Sequence, residues 1–447
     1  MSLERIQEWL VSKGREYLTV VELLNGLAVE LNSAGLSVFR VNLFLQAFHS
    51  QRASIVYVWR SSAEGGIEVD KAKLLSQRTV GCGGHEVDVF ETTYGHLSEE
   101  MFRQSPFHLL LAGWSEVRCR LEGAGPDQSF PILDDLKSVG ATDYVAVSLG
   151  MVHGKDGLIS FSTRSAGGFS DTDIETIRSM RPIVAQAFEI HAMKQGMENA
   201  LTTFLGPTSA EAILGGQLRR GDIHTLEAVI GFVDIRGFTK SGGLVGNSGL
   251  VRRANHFYQC LYDAITPYRG EISKFIGDGA LFLFYVEGDS AEACSRAFSS
   301  IQKLEGLVDE LNGSEVLEHD LDFGVALHLG TVEQGNIGAV ARLDFTVIGS
   351  AVNLASRFEG IGKRLKRRLV VTQTVADKMP SKFEHLGDYV VRGLSDEQAV
   401  FGLTNHTPRQ TDSVGDDLND WKGPERRKGR ERRTKMGRER RSKKQLE

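Results

Sequence analysis

Two aspartates stand where apolar segments give way to tight turns. Asp234 ends the apolar run 228–233, and Asp278 follows the segment Lys274-Phe-Ile-Gly, ahead of a second apolar run. A carboxylate at the end of a buried strand costs free energy unless it faces a cation. The pair therefore predicts a divalent-metal site, and Mg²⁺ and Mn²⁺ suit its hard oxygen ligands. A paired metal site beside a glycine-containing turn is typical of phosphoryl or nucleotidyl transfer.

The residues directly after Asp234 open a predicted helical segment, Arg236-Gly-Phe-Thr239. Backbone N–H groups of Gly237, Phe238 and Thr239 can point at phosphate oxygens there, and Gly237 permits the close approach of a ligand. With the two carboxylates, this turn predicts a site for the β and γ phosphates of a nucleotide. The alternative for Gly237 is an ordinary turn glycine.

Asn353 and Arg357 are four residues apart on a predicted helix. Residues at this spacing emerge on the same helix face, so the two side chains can share a target. An arginine is a permanent cation with several donors, which suits a phosphate group that gains charge. The alternative is a solvated surface arginine.

Three ordered segments in this half of the chain resemble the class III nucleotidyl cyclase family, over roughly residues 225–403. They are Phe232-Val-Asp-Ile-Arg-Gly-Phe-Thr239, Lys274-Phe-Ile-Gly-Asp278 and Asp344-Phe-Thr-Val-Ile-Gly-Ser-Ala-Val-Asn-Leu-Ala-Ser-Arg357. The resemblance implies that Asp234, Asp278 and the backbone carbonyl of Ile235 bind two Mg²⁺ or Mn²⁺ ions per site.

The same resemblance assigns roles to Asn353 and Arg357 and implies how subunits assemble. It implies that Asn353 orients the ribose and that Arg357 stabilises the charge developing on the α-phosphate. It also implies that each site combines the metal ligands of one subunit with the base selectors, Asn353 and Arg357 of another. One chain carries both sets, so we expect a homodimer with two equivalent sites and an inactive monomer.

Substrate choice rests on Lys274 and Thr346, which the resemblance places at the purine. A lysine donating to N1 and a threonine oxygen accepting from the N6 amine fit adenine, and guanine mismatches both. We therefore expect ATP. Related guanylyl cyclases commonly carry glutamate and cysteine at these two places. Arg392 stands where relatives have a lysine that contacts the terminal phosphates, and Gly324 and Ser350 are further departures.

The elements that must position these residues follow from hydrophobic periodicity. For the catalytic region, 225–404, the predicted elements are strand 226–235, helix 250–266, hairpin 271–286, helix 290–311, strands 321–327 and 344–348, helix 350–359, and strands 368–372, 386–391 and 398–403. Helices interleaved with a mostly antiparallel sheet predict an α+β fold of the ferredoxin-like kind.

Residues 1–200 predict a separate α+β domain. Helical spacing over residues 4–31, a strand at 53–59 and a hairpin at 143–149 and 158–163 precede a long exit helix. The motif Thr172-Asp-Ile-Glu175 reads as the capping box of that helix. This layout resembles a GAF-type sensor domain with a helical connector, bound to an unidentified small-molecule or protein signal. Residues 201–224 are interpreted as a linker.

The composition of the chain indicates where in the cell the protein is expected. The chain has 447 residues, of which 41% are hydrophobic. It has neither an export signal nor the roughly 18-residue apolar run of a membrane span, so we expect a cytoplasmic protein. Four scattered cysteines predict no disulfide framework or zinc site.

The C-terminal tail, 405–447, is predicted to be disordered and is strongly basic. Residues 422–447 hold 13 Lys or Arg and 4 Asp or Glu, which leaves a net charge of −15 for the rest of a chain whose total is −6. The tail either attaches to an anionic surface or is simply solvated.

These observations together predict an adenylate cyclase that makes 3′,5′-cyclic AMP and pyrophosphate under control of its N-terminal domain. Three alternatives stay open: a guanylate cyclase, a silent cyclase-like regulator, and a polyanion-binding role for the tail.

Overall fold

Two β-sheets organise the chain in the computed structural model, which describes residues 3–14, 16–47, 52–61, 74–93, 103–122, 130–151, 157–391 and 396–404. The chain divides into two compact units, Met1–Ile223 with Gly335–Thr346, and His224–Gln334 with Val347–Glu447. None of the helices in the described ranges is both long and apolar enough to cross a membrane. The basic tail lies outside the described residues.

The first unit is built on a seven-stranded antiparallel sheet with the order β3-β4-β2-β1-β7-β6-β5. Its strands are β1 (Val38–Gln46), β2 (Arg52–Arg60), β3 (Leu74–Cys82), β4 (His85–Thr93), β5 (Glu116–Arg120), β6 (Asp143–Ser148) and β7 (Gly157–Thr163). Its helices are α1 (Leu3–Ser12), α2 (Val20–Ser33), α3 (Pro106–Leu111), α4 (Pro131–Ser138), α5 (Asp171–Leu205) and α6 (Pro207–Leu214).

Apolar side chains cover both faces of this sheet. On one face, residues of α1, α2 and α5 pack with alternate residues of β1, such as Val41 and Leu43. On the other face, residues of α3 and α4 pack with Phe44 and Tyr144. The opening helices, the strand at 53–59 and the pairing of β6 with β7 confirm the predictions, whereas β1, β3, β4 and β5 were not predicted. The turn between β6 and β7 lies outside the described residues.

The N-cap of helix α5 lies two residues before the predicted one, Thr172. Ser170 is the N-cap, with extended backbone, and its hydroxyl accepts from the N–H of Asp173, whose carboxylate accepts in return. The box at Thr172–Glu175 is therefore wrong, because Thr172 already lies within the helix. The helix continues to Leu205 and α6 follows directly, so residues 201–224 contain helix.

The second unit holds most of the other sheet, in the order β14-β15-β13-β11-β8-β10-β9, with β12 paired to β11. The strands are β8 (Ile223–Ile235), β9 (Glu271–Ile276), β10 (Gly279–Tyr285), β11 (Phe323–Ala339), β12 (Arg342–Ile348), β13 (Leu369–Thr372), β14 (Phe383–Val390) and β15 (Glu397–Leu403). The helices are α7 (Phe238–Ile265), α8 (Ser290–Asn312), α9 (Ser350–Arg364) and α10 (Gln373–Ala376).

The strand order β11-β8-β10-β9, with α7 after β8 and α8 after β10, is a ferredoxin-like βαββαβ arrangement. The predicted α+β fold and the order of its elements are confirmed. The bounds of three elements differ most: α7 begins at Phe238 and bends at Gly246, β11 runs on to Ala339, and α9 extends to Arg364. Strands β8, β12 and β14 begin two or three residues earlier than predicted. Gly246 has φ 67° and ψ 176°, which allows the bend within α7.

Candidate active site

The two aspartates lie at neighbouring strand ends. β8 and β10 pair so that Asp234 is opposite Gly279, and Asp278 occupies the turn between β9 and β10. The Ile235 N–H donates to the Asp278 carbonyl oxygen at 3.2 Å. The structure therefore brings together the two carboxylates that the sequence pairs.

Glycines allow this close approach. A Cβ on Gly279 would lie 2.5 Å from the carbonyl oxygen of Val233 and 3.2 Å from Asp234 Oδ1. Gly277 has φ 64°, a left-handed conformation that favours glycine in the turn. A larger residue at position 279 would push the hairpin away from Asp234.

The electrostatics of the pair favour a cation. Burial, followed by the neighbouring charge of Asp278, raises the pKa of Asp234, while Lys363 and Arg236 oppose the rise. A divalent ion would relieve both the burial cost and the repulsion. The described residues contain no cluster of three or more His, Cys, Asp or Glu side chains that could hold a metal ion. The donor set here is two carboxylates with main-chain oxygens, which suits Mg²⁺ or Mn²⁺ rather than zinc.

Tyr258, a residue that the sequence analysis missed, braces the Asp278 turn. Its hydroxyl donates to the Gly277 carbonyl at 2.7 Å and lies 3.5 Å from the Gly279 carbonyl, so it reaches both neighbours of the aspartate. Its ring packs on Phe275 with centroids 4.3 Å apart. Tyr258 lies on α7, 20 residues before Asp278, and no sequence spacing points to the contact.

The predicted phosphate-facing turn has the expected backbone. Gly237 has φ 67° and ψ 14° and precedes the first residue of α7, so the N–H groups of the first turn of α7 are at the helix N-terminus. Phe238 packs against the core of the second unit. The side chain of Thr239 lies outside the described part of the structure.

Arg236 forms a second contact that the sequence analysis missed. Its Nη1 donates to Glu359 Oε1 of α9 at 2.8 Å, and the two side chains are only 17% and 15% exposed. Its backbone N–H donates to the Asp322 carbonyl at 2.8 Å. A Cβ on Gly324 would lie 1.8 Å from Arg236 Nη2, so the guanidinium occupies the space beside this glycine. Gly324, which departs from the pattern of the resembled family, therefore leaves room for the Arg236 side chain.

Asn353 and Arg357 occupy the exposed side of α9. The buried side carries Ala351, Ala355 and Phe358, which pack on the unit's own sheet. Within the described ranges, the Arg357 side chain forms no ion pair or hydrogen bond. Both side chains thus face away from their own core.

The remaining predicted residues lie on other elements or outside the described residues. Lys274 lies half-buried on β9, in the second unit. Thr346 is buried on β12, in the segment that groups with the first unit. Arg392 lies outside the described residues.

Residues 224–405 match the family model described as the adenylate and guanylate cyclase catalytic domain. An adenylate cyclase of Anabaena cylindrica is 33% identical over 186 residues, 40% of this chain and 37% of that protein. Adenylate cyclase 1 of Rhizobium meliloti (strain 1021) is 26% identical over 276 residues, 59% of this chain and 41% of that protein. This chain therefore spans about two fifths of the length of these relatives.

Solved structures of adenylyl cyclases and of guanylyl cyclases are also similar to this chain. The adenylyl cyclase CyaB from P. aeruginosa is 23% identical with a TM-score of 0.36, and the match covers 42% of this chain and 97% of that one. The guanylyl cyclase Cya2 is 25% identical with a TM-score of 0.36, and the match covers 45% of this chain and 98% of that one.

Proposed function

Because residues 224–405 match the family model of the adenylate and guanylate cyclase catalytic domain, we propose that this protein converts ATP into 3′,5′-cyclic AMP and pyrophosphate. The observation that carries the proposal is the placement of Asp234 and Asp278 at paired strand ends, linked by the Ile235 N–H. In the reaction, the ribose 3′-oxygen bonds to the α-phosphorus and loses its proton. The bond from the α-phosphorus to the bridging oxygen breaks, and pyrophosphate leaves.

Asp234, Asp278 and the carbonyl oxygen of Ile235 would hold two divalent ions, Mg²⁺ or Mn²⁺. When bound, these ions acidify the 3′-hydroxyl and neutralise the triphosphate. The backbone N–H groups at the start of α7 orient the β and γ phosphates, which are anions at a helix N-terminus. Arg392 follows β14 in the sequence and contributes a further cation toward the terminal phosphates.

Asn353 and Arg357 act on the ribose and the α-phosphate respectively. The arginine donates to the phosphate oxygens as negative charge develops, which lowers the barrier if the guanidinium is already in place. Their position on the exposed side of α9 supports a site shared with a second copy of the chain. A side chain aimed away from its own core is free to complete the site of a partner.

Helix α5 offers a second support for the homodimer. Ile190, Met193, Met197 and Phe204 are all between 46% and 81% exposed, and successive members are three, four and seven residues apart. Apolar residues at this spacing form the seam of a two-stranded coiled coil. We infer that α5 pairs with its counterpart in the second copy.

Lys274 and Thr346 favour ATP as the substrate. A lysine donor and a threonine acceptor complement the N1 and N6 positions of adenine, and guanine presents the opposite polarity at both.

Regulation by the first unit completes the proposal. The N-terminal segment of that unit closes with the 35-residue helix α5 and with α6, and residues 215–222 connect α6 to β8, which carries Asp234. A GAF-like sensor would act by changing how two catalytic domains meet.

The test is a cyclase assay on the purified full chain with ATP or GTP and with Mg²⁺ or Mn²⁺, beside an Asp278→Ala variant. We expect cyclic AMP from the wild type and only background from the variant. Absence of product above that background with either metal contradicts the enzyme proposal. More cyclic GMP than cyclic AMP contradicts the substrate proposal.

A further inference from the structure

The exposed side of helix α9 carries a longer row of residues than the two that the cyclase proposal uses. Asn353, Arg357, Gly360 and Arg364 are all exposed, and successive members are four, three and four residues apart. An α-helix turns about 100° per residue, so these four positions lie within roughly 60° of one another. They therefore form one line along α9, from its first turn to its last residue.

Arg364 ends this row as a cation without a described partner. In the part of the chain that the structure describes, its side chain forms no hydrogen bond and no ion pair. Two arginines that follow α9 are paired instead. Arg367 contacts Glu384 at 3.4 Å, and Arg368 forms an ion pair with Asp322. Among the described residues, no carboxylate thus neutralises Arg364.

Gly360 leaves an open space between the two arginines of the row. A Cβ added to Gly360 would meet no atom within 4 Å outside its own helix backbone and chain neighbours. Helical side chains lean toward the helix N-terminus and cover the preceding turn. The Arg364 side chain is therefore expected to extend over Gly360 toward Arg357, where no other side chain blocks a ligand.

The order of the row matches the order of the chemical groups in a nucleoside triphosphate. The cyclase proposal assigns Asn353 to the ribose and Arg357, one helical turn further along, to the α-phosphate. In the same direction, the next groups of ATP are the β- and γ-phosphates, and the next donor of the row is Arg364. Its Cα lies about 10 Å beyond that of Arg357 along the helix axis, and the backward lean of the side chain shortens this gap.

We propose that Arg364 binds the β- and γ-phosphates of the nucleotide, on the subunit that supplies Asn353 and Arg357. The guanidinium carries parallel N–H donors that match two phosphate oxygens. Negative charge builds up on the leaving pyrophosphate as its bond to the α-phosphorus breaks, so a cation at this place also favours the reaction. Arg364 lies outside the three motif segments, which end at Arg357, and its role rests on the proposed nucleotide site.

The experiment is isothermal titration of the purified full chain with an ATP analogue in the presence of Mg²⁺. A methylene group replaces the oxygen that bridges the α- and β-phosphates of this analogue, so pyrophosphate cannot leave. Adenosine 5′-monophosphate, which lacks the β- and γ-phosphates, is measured by displacement of the analogue. Both are compared between the wild type, Arg364→Gln and the control Arg269→Gln, which removes an exposed arginine elsewhere in the same unit.

We expect the analogue to bind Arg364→Gln about tenfold or more weakly than the wild type, because a charge-assisted hydrogen bond is lost. The monophosphate should bind both proteins alike, and Arg269→Gln should match the wild type with both nucleotides. The proposal is wrong if the analogue binds the wild type and Arg364→Gln equally, or if it does not bind the wild type. An equal loss of affinity for both nucleotides would also overturn the contact with the β- and γ-phosphates.

Arg364→Lys tests the chemistry of the contact. Lysine keeps the charge but removes the planar fork, so we expect this variant to bind the analogue more weakly than the wild type. A cation that acts only on the C-terminal end of the helix dipole would alter stability, measured by thermal unfolding, but not the affinity for the analogue. Wild-type affinity in Arg364→Lys would contradict a bidentate contact. Circular dichroism checks that these surface variants remain folded.

The cyclic AMP assay separates this proposal from the proposed function. A wild type that makes cyclic AMP but whose affinity for the analogue does not depend on Arg364 refutes only the role of Arg364. A wild type that makes no cyclic nucleotide but binds the analogue through Arg364 refutes the enzyme activity and supports the phosphate contact.

Discussion

Asp234 occupies a position that is unfavourable for a carboxylate in the absence of a cation. Burial and Asp278 raise its pKa above the ordinary value of 3.8, so the folded state holds its proton more tightly than the unfolded chain does. Stability therefore falls as pH rises through this range, and the full cost is present above the folded pKa. A side chain retained at such a cost is consistent with a ligand role.

We predict that Asp234→Asn stabilises the fold at neutral pH while it abolishes cyclase activity. The asparagine removes the buried charge, so with a chelator present its advantage should grow as pH rises from acid to neutral and vanish below the unfolded pKa. Hydrogen exchange of β8 and β10 amides measures the effect. Mg²⁺ should protect these amides in the wild type but not in the variant. Lower stability of Asp234→Asn at neutral pH would contradict this account.

Tyr258 gives a test of how the Asp278 turn is held. Tyr258→Phe removes the bond to the Gly277 carbonyl, a loss of about 1 kcal/mol. If this free energy is lost from metal binding, the Mg²⁺ concentration needed for half-maximal activity rises approximately fivefold over that of the wild type. Tyr262→Phe is the matched control, one helical turn away on the same helix and 55% exposed. If Tyr258→Phe needs the same Mg²⁺ concentration for half-maximal activity as the wild type, Tyr258 does not stabilise the Asp278 turn for metal binding.

At the scale of elements, the sequence predicts what is local. The hairpin carrying Asp278 and helix α8 follow from periodicity within short windows, and both are confirmed. The extension of β11 to Ala339 was not predicted, because glycines and polar residues obscure the alternation over 328–339. The Arg236–Glu359 pair joins positions 123 residues apart, which no spacing rule reaches. The paired aspartates followed from carboxylates at the ends of apolar runs, and the roles of the α9 residues from motif resemblance, whereas the contacts that support both required the fold.

The same Arg236–Glu359 pair links helix α9 to the turn that follows Asp234. Breaking one partner of a mostly buried ion pair costs about 3 kcal/mol or more, because the other charge stays buried. We therefore expect Glu359→Met to destabilise the second unit, and Arg236→Met/Glu359→Met to recover most of the loss. Native-state hydrogen exchange of α9 amides measures the free energy of opening.

The control for this pair is Glu287→Gln, which breaks the exposed contact of Glu287 with Arg269 and should change little. If the double variant is no more stable than Glu359→Met, the cost lies in lost packing rather than in an uncompensated charge.

At the scale of the whole molecule, the proposed assembly divides each site between two chains. The proposed metal ligands Asp234 and Asp278 lie close together at the ends of paired strands, while Asn353 and Arg357 project from the exposed side of α9. An Asp234→Ala chain would then lack one of the proposed metal ligands that it contributes to one site. An Arg357→Ala chain would lack the arginine that it contributes to the other site. Each variant alone should be inactive, since every site in its homodimer carries the same defect.

Mixing the two inactive variants in equal amounts should restore about one quarter of the wild-type activity. Half of the dimers formed at random are mixed, and each mixed dimer holds one intact site and one doubly defective site. A mixture of Asp234→Ala with Asp278→Ala is the matched control, because both changes fall in the same half and no intact site can form. No recovery in the first mixture, or equal recovery in both, would show that the sites are not shared in this way.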